Sequence, residues 1–407
     1  MPNVAEPTAM ISHDRPATRR ATRLAFLVAG FGIACWAPLV PFAKQRLAVD
    51  DATLGLLLFC IGVGSVVAMQ FTGALSARYG AKPAIIAGAL GLALILPLLS
   101  VVTTSPALAV ALLGFGASLG SLDVAMNIHA IEVERAAGRP LMSGFHALFS
   151  IGGFAGSMLM TLLLSAHFPP LASTLYCAAI MLVAVLIAWP RLLTGTQGEK
   201  GPLIVMPRGI VLLIAGLAAA AFLAEGAILE WSALLITGTG LASEAKGGVG
   251  YMLFAIAMTA GRLTGDAVTA RIGDRATLLW SGIATVAGFV VLLTAPVAGL
   301  AMAGFLLIGL GASNIVPVLF RKAGSQTVMP PALAISAMTT AGYAGNLVGP
   351  AAIGFVSKAI GLHNAFWMLA AMMCLVPLTA PLVAGGSGSQ RLRRAGSAAG
   401  KPVQPPG

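Results

Sequence analysis

Two short stretches decide how this chain folds: Ala74-Leu-Ser-Ala-Arg78-Tyr-Gly80-Ala-Lys82 and Ala267-Val-Thr-Ala-Arg271-Ile-Gly273-Asp-Arg275. They share the pattern A-x-[S/T]-A-R-x-G-x-[K/R] and lie 193 residues apart. Each is a short basic turn with a long apolar run on either side. The same turn at the same place in two halves implies a duplicated helical bundle. In parallel half-repeats of this kind the binding site lies between the halves, near the membrane midplane.

The sequence around the turns agrees with a membrane-spanning chain. Of its 407 residues, 58% are hydrophobic and 9% are charged, against about 25% charged in a soluble domain. Such a chain cannot cover itself with polar groups, so lipid is its solvent. A membrane helix needs about 20 apolar residues. Twelve such segments are expected at about 23–43, 52–76, 83–102, 107–131, 143–165, 171–190, 209–236, 247–270, 276–294, 298–320, 332–357 and 363–384. Turn-rich breaks separate them at Thr103–Pro106, His167–Pro170, Ala295–Gly299 and Met329–Pro331. The runs lack two-residue alternation and are too long for spanning strands. The fold class is therefore all-α, with twelve transmembrane helices in two six-helix bundles. The expected organisation is a tail at 1–22, a bundle at 23–190, a linker at 191–208, a second bundle at 209–384 and a disordered basic tail at 385–407.

The formal charge of +11 would suit nucleic acid, but its distribution points to membrane topology instead. With the N-terminus in the cytoplasm, nineteen of the 24 Lys and Arg fall on the inner side. Only Lys44, Arg46, Lys246 and Lys358 fall outside, and Arg262 lies within a span. That asymmetry places both termini in the cytoplasm and makes the number of spans even. The apolar run after Arg23 is too long for a signal peptide and is read as a retained first span. Cys35, Cys60, Cys177 and Cys374 lie scattered in apolar segments. Their spacing matches no metal or redox motif, so neither metal nor cofactor is expected.

The first turn resembles the G-x-x-x-D-R-x-G-R-R signature of the major facilitator superfamily. Gly73, Arg78, Gly80 and Lys82 are kept, whereas Ala77 stands where the family has Asp, and Ala81 also departs. The second copy keeps Arg271, Gly273 and Arg275, with Ala270 at the acidic position and Asp266 opposite Gly73. Both acids of the loop's usual charge relay are thus missing. A finer likeness lies in Leu122-Asp123-Val-Ala-Met-Asn127, Glu132, Gly138-Arg139-Pro140 and Ser143-Gly-Phe-His146-Ala-Leu-Phe-Ser150-Ile-Gly152-Gly153. It resembles a group of bacterial inner-membrane permeases related to fucose-permease-like and rhizopine-associated proteins. The resemblance implies a monomeric transporter of sugars, polyols or related metabolites, with these turns as gating loops.

Ionisable groups inside spans are candidates for function. Asp123 lies on the fourth span with Asn127 one turn on, facing the same way. It is either a proton- or substrate-binding carboxyl or a hydrogen-bonded strut. His146 opens the fifth span and either relays protons with Asp123 or ties the two helices together. Glu225 and Glu230 on the seventh span point about 140° apart. Glu225 is the deeper, a candidate for proton or substrate binding, and Glu230 is read as interfacial. Arg262 and Asp266, at i and i+4, suggest an intrahelical ion pair. Trp36, Asn314, Tyr343 and Asn346 offer stacking or hydrogen bonds to a polar solute, or serve packing. Trp36 stands beside Pro38 and Pro41, which either bend the first span or shape a stacking face. Glycine pairs Gly116/Gly120, Gly152/Gly156 and Gly345/Gly349 permit close helix contact. Gly156-Ser157 lacks the proline of the family's antiporter motif, which leans away from efflux.

No H-E-x-x-H and no G-x-x-x-x-G-K-[S/T] occurs, so an enzyme or an ATP-driven pump is not expected. A membrane sensor would carry a signalling element, and the tail after Gly385 is short and featureless. The expected function is proton-coupled transport of a small polar solute, with membrane lipid and protons as partners. Proton antiport of drugs or metabolites is the alternative. Topology reporters fused after Ser243 are expected to report the periplasm, and those after Gly324 the cytoplasm. The reverse at either point would overturn the twelve-span reading.

Overall fold

Long apolar runs can satisfy their backbone groups in lipid only as helices or closed barrels, and this chain takes the first course. The computed structural model describes residues 16–49, 51–194, 206–241 and 248–384. The basic tail after 384, most of the expected linker, and Arg15, Lys200 and Lys246 lie outside the described residues. The helices are α1 (Pro16–Trp36), α2 (Val40–Leu47), α3 (Asp51–Tyr79), α4 (Ala81–Val101), α5 (Ser105–Ala137), α6 (Met142–Ser165) and α7 (Pro170–Ala188). The second half has α8 (Ile210–Gly238), α9 (Val249–Leu293), α10 (Ala298–Ala312), α11 (Ile315–Ser325), α12 (Pro331–Ile360), α13 (Leu362–Met373) and α14 (Leu375–Ala384).

Ten helical stretches among the described residues are long and apolar enough to cross a membrane. One of them, α9, has 45 residues, or roughly 68 Å of helix, about twice the hydrocarbon thickness. It breaks at Gly273, where φ is 79° and ψ is 165°. Gly80, between α3 and α4, has φ 79° and ψ 164°. The two repeated turns therefore share one backbone conformation, which glycine adopts without steric penalty. Counting α9 as two spans and adding the 30-residue α12 gives the twelve helices expected.

Three details differ from the sequence reading. The first helix begins at Pro16, seven residues early, with proline at a position whose amide needs no partner. α5 runs on to Ala137 and ends on Gly138, a left-handed cap with φ 64°. Asp123 therefore lies near the middle of a 33-residue helix. The tenth and twelfth spans are each interrupted, at Ser313–Asn314 and at Cys374. Pro317 and Pro377 follow these breaks, and proline cannot donate to the carbonyl four residues upstream. Pro38 and Pro41 do the same to the first span, where Ala37–Leu39 is a 3-10 turn.

Helices α1–α7 pack on one another, chiefly α3 on α5, α1 on α6 and α4 on α5. Helices α8–α14 do likewise through α9 with α10 and α8 with α12. The glycine pairs set the spacing within each half. A Cβ at Gly116 would lie 2.0 Å from the Ile61 carbonyl, at Gly152 2.3 Å from Leu27 O, and at Gly345 2.4 Å from Ala219 O. The halves meet along α3 with α12 and α6 with α9. Gly152→Val is expected to lower the melting temperature in detergent, because overpacking of this kind costs about 1–3 kcal/mol. Gly216→Ala, where an added Cβ meets nothing within 4 Å, serves as the control and should not lower it.

Candidate functional site

The first turn of α6 is where the two halves hold each other most directly. A helix start leaves four amides without intrahelical acceptors. Glu134 Oε2, on α5 of the same half, accepts from Leu141 N at 2.6 Å and Met142 N at 2.9 Å. Asp266, on α9 of the other half, accepts from Ser143 N at 2.9 Å through Oδ1 and Gly144 N at 2.8 Å through Oδ2. Two carboxylates thus cap one helix, each also favoured by the positive end of the helix dipole. Ser143 Oγ adds a 2.7 Å bond to Asn314 Oδ1 across the same boundary. Asn314 Nδ2 donates to Ser313 Oγ and Gly261 O. Glycine is required opposite: a Cβ at Gly265 would lie 1.7 Å from Asn314 Oδ1.

Next to this cap lies a charge network. Arg321 on α11 pairs with Glu134 of the first half and with Asp274, the residue after the Gly273 turn. Lys322 Nζ is 2.6 Å from Asp274 Oδ2. One guanidinium therefore joins both halves and the second repeated turn, in the fork geometry that favours arginine for such pairs. The first turn carries Ala81 in place of Asp274 and has no counterpart to this pairing. Arg78 stacks on Tyr79, its Cζ 5.2 Å from the ring centre. Gly73 lets α12 approach closely, since a Cβ there would fall 2.3 Å from Ser336 Cβ. Ser336 Oγ donates to Met69 O at 2.6 Å.

Deeper in, a second cluster joins the halves. Arg262 Nη1 donates to Ser150 Oγ on α6 at 3.0 Å. Its Nη2 lies 3.7 Å from Glu225 Oε1 on α8. Glu225 Oε1 and Arg262 Nε are buried, and neither has a hydrogen-bond partner among the described residues. Tyr251 is within electrostatic range of both charges. Asn346 is exposed and lies against Gly226, where a Cβ would come 2.7 Å from its Oδ1. Eleven residues of helix separate Arg262 from the Gly273 turn, roughly 16 Å, which puts the cluster well inside the apolar span.

The expected Arg262–Asp266 pair within one helix is not formed. Asp266 is held by two amides of α6, and Arg262 turns to Glu225 and Ser150. Two charge-assisted bonds to a helix start outcompete one flexible i,i+4 pair, which stabilises by only about 0.2–0.5 kcal/mol. Asp123 is buried, and among the described residues no ion pair is formed to it. Tyr343, on α12 of the other half, is within electrostatic range of it and contacts Phe222 at 6.0 Å between ring centres. Asn127 is fully buried and donates to the Asp123 backbone carbonyl at 2.9 Å. His146 bonds the Met142 carbonyl at 2.9 Å. Its ring sits between Phe26 of the first half and Phe320 of the second, at 5.2 and 5.4 Å. No hydrogen bond joins His146 to Asp123 among the described residues. Trp36 is buried with its Nε1 unpaired. Glu230 is exposed, and so are Arg271 and Arg275, while Lys82 is half-buried. Glu134, Asp274 and Arg321 were not candidates for the site from sequence, and Ser143 and Ser150 entered only within the permease-like stretch; the side-chain partners of all five lie 47 to 187 residues away.

The sequence matches the Major Facilitator Superfamily over residues 23–330. It is 46% identical over 364 residues to an uncharacterized MFS-type transporter of Yersinia pestis, covering 89% of this chain and 95% of that one. It is 32% identical over 361 residues to the membrane protein MosC of Rhizobium meliloti, covering 88% of each. Among solved structures it resembles the MFS transporter FucP in the outward conformation, with TM-score 0.73 at 17% identity, covering 92% of this chain and 99% of that one. It also resembles the human organic anion transporter MFSD10, with TM-score 0.71 at 16% identity, covering 90% and 100%. At these identities the structural likeness speaks for the fold alone.

Bonds from a charged acceptor contribute about 1.5–3 kcal/mol each, so removing Asp266 should shift the equilibrium between joined and parted halves by tenfold or more. Asp266→Ala is expected to raise the labelling rate of a cysteine placed at Ser336 by a maleimide reagent, in a background lacking other cysteines. An unchanged rate would mean the α6 cap does not hold the halves together.

Proposed function

Because the chain belongs to the Major Facilitator Superfamily, we propose that it is a secondary active transporter moving a small polar solute across the bacterial inner membrane. The solute class is a sugar, polyol or related metabolite, and alternating access is coupled to protons. The observation that carries this reading is the placement of two buried groups, Asp123 in the first half and Arg262 in the second, with the half-buried Glu225 beside Arg262, inside long apolar helices. Charged side chains in lipid-spanning helices are costly and rare outside solute or ion pathways.

The joined state supports alternating access. The α6 cap and the Arg321 network fasten the halves near the repeated turns. Rocking the halves apart would break contacts that are polar and therefore reversible in water. On the positive-inside reading this end is cytoplasmic, so the joined arrangement would close the cytoplasmic side. His146, packed between Phe26 and Phe320, loses one ring when the halves part and so reports on their separation.

Asp123 is the proposed proton carrier. It is buried, it has no cationic partner among the described residues, and Tyr343 of the other half lies near its charge. Loading a proton removes that charge and so favours whichever conformer buries the group most deeply. Asn127 positions the helix backbone at Asp123 and is fully buried, so a role for it in touching solute would require the other conformer. Glu225 is the second candidate for the proton and stands with Asn346 and Tyr343 on the proposed solute path. Proton antiport of metabolites remains the second reading, favoured only by the family's breadth.

Asp123→Asn is expected to abolish accumulation driven by a pH gradient while retaining counterflow, since Asn mimics the neutral acid. Glu225→Gln is measured in parallel. Normal accumulation by Asp123→Asn would make that residue a strut and move the coupling site to Glu225.

A further inference from the structure

Buried ion pairs normally close to hydrogen-bond contact, because only a tight pair offsets the loss of hydration. The Glu225–Arg262 pair does not close. Its nearest atoms are 3.7 Å apart, beyond hydrogen-bond reach. Glu225 Oε1 and Arg262 Nε are both buried, and both lack hydrogen-bond partners among the described residues. Arg262 is drawn toward the other half, where its Nη1 donates to Ser150 Oγ, and Asn346 lies against Gly226, the residue after Glu225. The result is one unused acceptor and one unused donor, adjacent and of opposite charge.

We propose that a small zwitterionic solute opens this pair, its ammonium group binding Glu225 and its carboxylate binding Arg262. The assignment rests on the transporter reading, and it departs from the sugar or polyol class in favour of a solute bearing both charges. A hydroxyl between the two side chains would leave each charge with a weaker, neutral partner. A simple cation would satisfy Glu225 and leave Arg262 buried and uncompensated, and a simple anion would do the reverse. A zwitterion gives both a charge-assisted bond and adds no net charge to the cavity. Asp123 then keeps its own separate protonation, so solute and proton occupy different groups. Because Arg262 is also tethered to Ser150 across the halves, a carboxylate that re-aims the guanidinium acts directly on a contact between them.

The test uses the purified full-length protein and thermal stabilisation with titration calorimetry. The probes are the free α-amino acids, their N-acetyl and methyl-ester forms, glucose and myo-inositol. At least one free amino acid is expected to bind, with its N-acetyl and ester forms at least tenfold weaker. Glu225→Gln should erase the discrimination against the N-acetyl form, and Arg262→Gln that against the ester. The wild-type panel is decisive even where a variant fails to fold. Binding of glucose or myo-inositol with none by any free amino acid overturns the assignment, as does equal affinity for the charge-blocked forms. Uptake of the bound probe into proteoliposomes is measured separately. Binding without uptake or exchange sinks the transporter reading and leaves the site assignment standing.

Discussion

The four amides at the start of α6 are the constraint on which the joined arrangement of the halves depends. A helix cannot begin inside a protein with its first amides unsatisfied. Glu134 supplies acceptors for two of them from within the half, and Asp266 supplies the other two from the far half. The halves cannot part at this end without leaving Ser143 and Gly144 to find water. The capping is therefore complete only in one conformer, and a local rule of helix chemistry becomes a global coupling between bundles.

Contacts within the halves and contacts between them differ in kind. Inside each half, glycines let backbones meet at distances that no side chain would permit, as at Gly116, Gly152 and Gly345. Such packing has no partly open form and keeps each bundle rigid. Between the halves there are close approaches too, as at Gly73 and Phe320, but the hydrogen bonds and ion pairs there come from carboxylate, guanidinium, amide and hydroxyl groups. Water can replace each of these when the surfaces separate. Rigid bodies joined by exchangeable contacts are what a rocking motion requires.

Much of this was legible in the sequence, and the limits have physical reasons. The repeated turns were readable because only glycine adopts their backbone freely and because basic residues flank them. A bend in the first span was one reading of Pro38 and Pro41, whereas the breaks before Pro317 and Pro377 emerged only in the structure. Pairing was not legible. Helical spacing puts Asp266 one turn from Arg262, yet the partner of each lies on a different helix. Asn314 was recognisable as a polar group in a span, but its bond to Ser143 joins residues 171 apart in sequence. Asp123 was recognisable as a carboxyl within a span, and the structure adds that α5 runs on to the Gly138 cap. Spacing reports what one helix can do alone, and the site is made where helices from different halves meet.

The two boundaries between the halves are unequally charged. Along α3 and α12 the approach is made by Gly73 and Ser336, with one hydroxyl bond to Met69. Along α5, α6, α9 and α11 it is made by Glu134, Arg321 and Asp266, with Asp274 and Lys322 paired beside them. Were that second boundary to open, mobile ions would reach groups now matched to one another, and they would screen exposed charges over about 8–10 Å at ordinary ionic strength. The duplicated turns thus share one backbone shape, while Asp274 ties the second of them to a charged boundary that would respond to the salt around it.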